Sequence, residues 1–189
     1  MRGINNKDNP VVQERWYKTF LGQRQQHTYW LYKVIDDIVT ARPELLRFVE
    51  IGTGSGALSV ILALHAVQRG HRLLTYDNRP ELHEPLLPVF SALSVRNSPM
   101  DHWECLDAIT NLMDGRPTFF FCDGGNKADE FNFYADHICS GSIIAAHDYG
   151  VEVFPDQIED TVARLSLEPV QQEDWNGTDD IQACFYKKP

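Results

Sequence analysis

No run of apolar residues in this 189-residue chain approaches the roughly 18 to 20 needed to cross a bilayer, so no membrane-spanning helix is expected. The opening MRGINNKDNP has no apolar h-region either, which argues against a signal peptide and makes the cytoplasm the expected location. Cysteine is scarce: Cys105, Cys122, Cys139 and Cys184 lie 17, 17 and 45 residues apart. Neither a CxxC zinc pattern nor a dense disulfide framework fits that spacing, so reduced, mostly buried thiols are expected. Basic charge is also short, with 17 Lys+Arg against 27 Asp+Glu and a net charge of −10. Residues 1–47 hold eight basic and five acidic side chains, which leaves −13 on the rest. Phosphate affinity grows with Lys/Arg contacts, so this body is a poor nucleic-acid footprint, and the small N-terminal excess reads as a solvated helix face.

What the chain does have is the 43% apolar and 11% aromatic content of a globular protein with a core. Its length suits one domain, and no repeat, low-complexity tract or linker divides it, so residues 1–189 are expected to form a single domain. Trp30, Val34 and Ile38 beside Leu31, Ile35 and Val39 make two i, i+4 rows, which predicts an amphipathic helix ending near Pro43. Val11 to Phe20 reads as a second helix. From Arg47 onward short apolar runs alternate with helical stretches. The strands are RFVEIG (47–52), RLLTYD (72–77), HWECLD (102–107), TFFFCD (118–123) and GSIIAAHD (141–148). Helices are expected over 57–69, 80–95, 127–138 and 156–165. That alternation predicts a doubly wound, Rossmann-like α/β fold with a mostly parallel sheet. LSLEPVQQ and IQACFYKK, separated by the turn-forming run Glu173 to Asp180, add an antiparallel closing pair.

The chemistry gathers where these strands end, because ligands of open α/β sheets bind outside the carboxyl ends. The first strand runs into Glu50-Ile-Gly52-Thr-Gly54-Ser-Gly56-Ala, whose glycines permit a tight turn against which a ligand can lie. Gly52, Gly54 and Ala57 also satisfy a dinucleotide fingerprint, with Asp77 as the ribose acid, so a nicotinamide-dependent oxidoreductase is a rival reading. Glu50 argues for another ligand: an acid two residues before the first glycine suits a cationic amino group, which a pyrophosphate does not need. Asp107, Asp123 and Asp148 close later strands.

Glu50-x-Gly52-x-Gly54-x-Gly56, Asp77 and Leu106-Asp107-Ala108 resemble motifs I to III of the class I S-adenosylmethionine-dependent methyltransferases. Cys122-Asp-Gly-Gly-Asn-Lys127 and Cys139 to Gly150 are similar to the small-molecule O-methyltransferase branch. That branch holds macrolide-sugar and catechol-type enzymes and cephalosporin-hydroxylase-like proteins. The resemblance covers about residues 45–165 and rests on five motifs in order.

It implies methyl transfer from S-adenosylmethionine to an oxygen of a small-molecule acceptor. Gly52, Gly54 and Gly56 would hold the methionyl part of the cofactor, with Glu50 near its amino group. Asp77 would accept from both ribose hydroxyls, and Asp107 and Ala108 would meet the adenine. Asp123 would lie near the cofactor. In metal-dependent members the acids at Asp123 and Asp148 ligate a divalent ion, Mg or another, that grips the acceptor. Two departures stand out. Asn126 replaces the family's base histidine, and His147 replaces an acid. His147 therefore reads as a base, a third metal ligand or a core histidine. Lys127 reads as a desolvated base or, more in keeping with a helix start, as a solvated charge. A binding protein that keeps the cofactor pocket without the base is the reading from outside enzymology. No long insertion covers the acceptor, so its pocket is expected to be open or to be completed by residues 1–44 or by a second copy in a homo-oligomer; Trp16, Tyr17, Tyr29, Trp30 and Tyr32 would clamp a flat acceptor or, the commoner use, pack between helices.

Overall fold

The computed structural model describes residues 18–20, 23–25, 27–79, 82, 84–170 and 182–189. A hairpin of β1 (Lys18–Phe20) and β2 (Gln23–Gln25) precedes helix α1 (Tyr29–Thr40). The core then alternates β3 (Arg47–Ile51), α2 (Ala57–Gln68), β4 (Leu73–Tyr76), α3 (Leu87–Ala92), β5 (Arg96–Ser98) and α4 (Leu106–Met113). It continues with β6 (Thr118–Cys122), α5 (Lys127–His137), β7 (Ile143–His147), α6 (Pro155–Arg164), β8 (Glu168–Pro169) and β9 (Ala183–Lys187). The seven-stranded sheet runs β5-β4-β3-β6-β7-β9-β8. It is parallel from β5 to β7 and antiparallel at β9 and β8, as the closing pair requires. Strand order reverses between β3 and β6, and that switch point is where a ligand crevice opens.

Both faces of the sheet are covered because its central strands are apolar on both sides. Phe48, Phe119, Phe121, Ile143 and Ala145 meet α1 and α2, while Val49, Phe120 and Ile144 meet α4, α5 and α6. α1 starts at Thr28, whose hydroxyl accepts from the Leu31 amide at 3.2 Å, and buries Leu31, Val34, Ile35, Ile38 and Val39. Trp30, expected in the same row, is instead 47% exposed. Cys122 and Cys184 are buried, Cys105 and Cys139 half-buried, and all four are free. Among the described residues no helix is long and apolar enough to cross a membrane.

Three local expectations are corrected. Residues 18–20 form a strand, not the end of a helix, and 11–17 lie outside the described residues. HWECLD is not a strand: Asp101 accepts from the Trp103 amide at 3.0 Å, starting a 3-10 turn over His102–Cys105 that runs into α4. Leu106, Ile109 and Met113 follow the helical period, and Ile109 and Met113 are buried on it. The third parallel strand is the polar edge segment Arg96–Ser98, paired with β4 from Leu74 to Tyr76. The helix expected over 80–95 is correspondingly short, a 3-10 turn at Glu84–Leu86 and then α3. The turn expected over Glu173 to Asp180 also lies outside the described residues.

Phe120 is fully buried and stacks on Tyr134, ring centroids 4.3 Å apart. Phe120→Ala is expected to cost about 3–5 kcal/mol in denaturant unfolding, by lost transfer energy and a cavity. A loss below about 1 kcal/mol would contradict this packing.

Candidate active site

Two groups of side chains meet at the β3/β6 switch point. The first is built on the turn after β3. The ladder continues past the strand ends, with the Gly52 amide donating to Tyr76 O at 2.8 Å and the Asp123 amide to Ile51 O at 2.9 Å. Gly52 thereby lies against the Asp123 peptide at φ +88°, where an added Cβ would stand 2.1 Å from the Asp123 carbonyl oxygen. Gly54, at φ +49°, faces open space. Asp77 spans the turn: its Oδ2 accepts from the Gly54 amide and its Oδ1 from the Arg79 amide, each at 2.7 Å. Each oxygen keeps a further lone pair for a ligand hydroxyl. Gly54, Asp77, Arg79, Leu82 and Asn97 line the cleft beside it.

Beneath this turn Glu50 is 1% exposed. Ser59 Oγ donates to its Oε2 at 2.5 Å and Thr75 Oγ1 to the same oxygen at 2.7 Å, while Oε1 is buried without a partner among the described residues. Burial pushes the carboxyl up to about 8 against those two hydrogen bonds, which lower it. An ammonium group placed at Oε1 would satisfy the orphan atom and favour the ionised acid.

The second group surrounds Asp123, whose carboxylate lies between two imidazoles. His147 Nδ1 meets Oδ1 at 3.1 Å and His27 Nε2 meets Oδ2 at 2.8 Å. Burial alone would raise the Asp123 carboxyl, but His147 and then His27 hold it well below the ordinary carboxylate range. Burial alone would lower His147; Asp123 and Asp148 outweigh it and raise the imidazole to about 9. His147 therefore carries its proton at neutral pH. Asp148, at φ +56°, turns its Oδ2 to within 3.3 Å of His147 Nδ1, and its carboxyl is lowered chiefly by that histidine against the opposing effect of burial. Lys127, at the start of α5, is buried rather than solvated. Its ammonium lies 2.6 Å from Glu152, 3.1 Å from Asp148 and 3.7 Å from Asp123. Burial would lower Lys127, but these carboxylates raise it above its ordinary value.

Glu50, Gly52, Gly54, Gly56, Asp77, Asp123, Lys127, His147 and Asp148 thus sit on the turns at one end of the sheet or on the strands beneath them. Asp107 and Ala108 do not: both lie in the first turn of α4 with their side chains exposed, because the strand expected there is a helix start. Asn126 precedes α5, and its side-chain Nδ2 donates to the Asp129 carboxylate. Sequence reading missed His27, which lies 96 residues from Asp123 and carries no motif. It also missed Glu130, fully buried, which accepts from the Gly124 and Asn126 amides and shapes the loop after Asp123.

Neither a protein-family model nor a curated protein matches this sequence. Solved structures do. CmcI superposes with a TM-score of 0.68 at 13% identity, over 91% of this chain and 76% of its own. A caffeoyl-CoA O-methyltransferase-like protein from Staphylococcus aureus gives 0.65 at 13%, over 95% and 88%. The fold is that of the S-adenosylmethionine-dependent O-methyltransferases. TomG of Streptomyces achromogenes, an O-methyltransferase involved in tomaymycin synthesis and solved with S-adenosylmethionine, shares the methyltransferase fold at a TM-score of 0.53 and 16% identity, over 84% and 79%. CmcI has also been solved with Mg and S-adenosylmethionine, and that form matches at 0.60 and 12%, over 90% and 76%.

Gly52→Ala is expected to destabilise the methyltransferase fold by about 2–4 kcal/mol, since left-handed strain and overpacking against Asp123 add. Gly54→Ala, with no atom within 4 Å of its Cβ, should cost about 1–2 kcal/mol from strain alone. Equal losses in thermal or urea unfolding would contradict the close approach.

Proposed function

We propose that this protein transfers a methyl group from S-adenosylmethionine to an oxygen of a small molecule. The observation that carries the reading is the buried, unpartnered Oε1 of Glu50 beneath the glycine turn that Asp77 spans. A dinucleotide pyrophosphate would bring negative charge toward that acid, whereas an amino-acid ammonium completes it. Bound S-adenosylmethionine would supply an electrophilic methyl on a sulfonium sulfur. The chain's own residues do the rest. Glu50 takes the cationic amino group, Gly54 lets the ligand lie against the backbone, and Asp77 accepts from the ribose hydroxyls.

Direct displacement requires an aligned, deprotonated acceptor. His147 points Nδ1 at Asp123 and Asp148, so we assign its Nε2 to the acceptor oxygen. As an imidazolium it donates there, a hydrogen bond that favours the acceptor's oxyanion, while the Lys127 charge is taken up by Glu152, Asp148 and Asp123. Neither group is a ready proton acceptor at neutral pH, so the acceptor sheds its proton to solvent before the methyl moves, and an acidic hydroxyl such as a phenol suits this site better than a sugar hydroxyl.

A divalent ion between Asp123 and Asp148 does not fit these side chains, because the Lys127 ammonium already lies against both carboxylates. A second metal reading rests on one observation: ligand atoms of His27, Asp123 and His147 lie within 4.8 Å of one another. Two imidazoles and one carboxylate would suit Zn, Mn or Fe better than Mg. The cytoplasm is the compartment that the reduced thiols favour.

Calorimetric titration with S-adenosylhomocysteine and with NAD tests the reading. Binding of the first and not the second is expected, and Asp77→Ala should weaken it by about 1.5–3 kcal/mol, the scale for hydrogen bonds to a charged group. Binding of NAD alone would return the oxidoreductase. S-adenosylhomocysteine binding without turnover of any phenol, catechol or sugar would leave a cofactor-binding protein.

A further inference from the structure

Tyr32 stands on α1, outside every motif of the sequence, and packs against the cluster that holds Phe121 and Leu58. Among the described residues its Oη is buried without a partner, as is Glu50 Oε1. Such atoms are rare in native proteins, and of the others among the described residues, Arg69 Nε and Asn132 Oδ1, neither belongs to the site. Glu50 and Phe121 are register partners on β3 and β6, and Phe121 lies two residues before Asp123 on the same face, so Tyr32 lies over the junction of the two halves of the site. Its phenol responds to burial first and then to both Glu50 and Asp123, all of which raise its pKa, so it stays a neutral hydroxyl.

We propose that Tyr32 Oη and Glu50 Oε1 together seat the primary ammonium of the cofactor's amino-acid end, which makes α1 part of the cofactor site. This inference rests on the methyltransferase reading. Two orphan atoms, one on α1 against the cluster that holds Phe121 and one on the strand residue paired with Phe121, lie at the same junction, and one shared partner satisfies both. A tetrahedral ammonium with three N–H donors can serve both, giving its charge to the carboxylate and one hydrogen bond to the phenol oxygen. A water molecule would supply hydrogen bonds but no charge, leaving the buried acid protonated. Tyr32 is then the residue through which the N-terminal segment senses whether the amino-acid end of the ligand is present.

Tyr32→Phe keeps the ring that packs on the core and removes only the orphan oxygen, so the variant should melt within a few degrees of wild type. Wild type and variant are titrated with S-adenosylhomocysteine and with 5′-methylthioadenosine, which keeps the nucleoside and sulfur but lacks the amino-acid group. Roughly tenfold weaker S-adenosylhomocysteine binding, with methylthioadenosine unchanged, is expected for one hydrogen bond to a charged group. Equal losses for the two ligands, or none for either, would overturn the assignment while leaving the methyltransferase reading in place. Wild-type protein that takes neither ligand would remove that reading and this inference with it.

Discussion

The contact between Gly52 and the Asp123 peptide sets the geometry of everything else at this site. β3 and β6 are neighbours at the switch point, and their ladder runs on until the two turns touch. With a Cβ at 2.1 Å from the Asp123 oxygen excluded, only glycine lets the turn after β3 close over the end of β6. That closure fixes the spacing between the part of the site that would hold a cofactor and the part that would hold an acceptor. A methyl donor needs its reacting carbon at a set distance from the attacking oxygen, and a rigid sheet delivers this better than a loop does.

The same closure buries acids, and each acid is compensated differently. Asp123 is ionised between two imidazoles, and the half-buried Asp148 shares Lys127 with the exposed Glu152. Among the described residues Glu50 meets only two hydroxyls, both on one oxygen, and responds by holding its proton. Buried ion pairs contribute little net stability, since desolvation offsets most of the attraction. A cluster of this density is therefore better explained by what it binds than by what it holds together. The uncompensated oxygen of Glu50 is the place where a ligand's positive charge has the most to gain.

The strand-helix alternation and the acids at Glu50, Asp77 and Asp123 were legible because turn chemistry and periodicity are local. HWECLD was misread because a short run of mixed polarity satisfies a strand and a helix start alike, while the actual edge strand Arg96–Ser98 is too polar and short to announce itself. That error carried Asp107 and Ala108 away from a strand end. Lys127 looked like an ordinary helix-opening lysine until Glu152 and Asp148, brought in by the turn after β7, enclosed it. His27 was invisible for the opposite reason to the glycines: its contact spans 96 residues and depends on how α1 packs.

The central claim is that Glu50 gives up a proton to receive a cationic ligand. Calorimetry of S-adenosylhomocysteine binding at pH 7, repeated in buffers of different ionisation heat, counts that proton directly. With the free carboxyl at about 8, release of close to one proton is expected from the wild type and none from Glu50→Gln. Binding by the wild type with no proton released would contradict it.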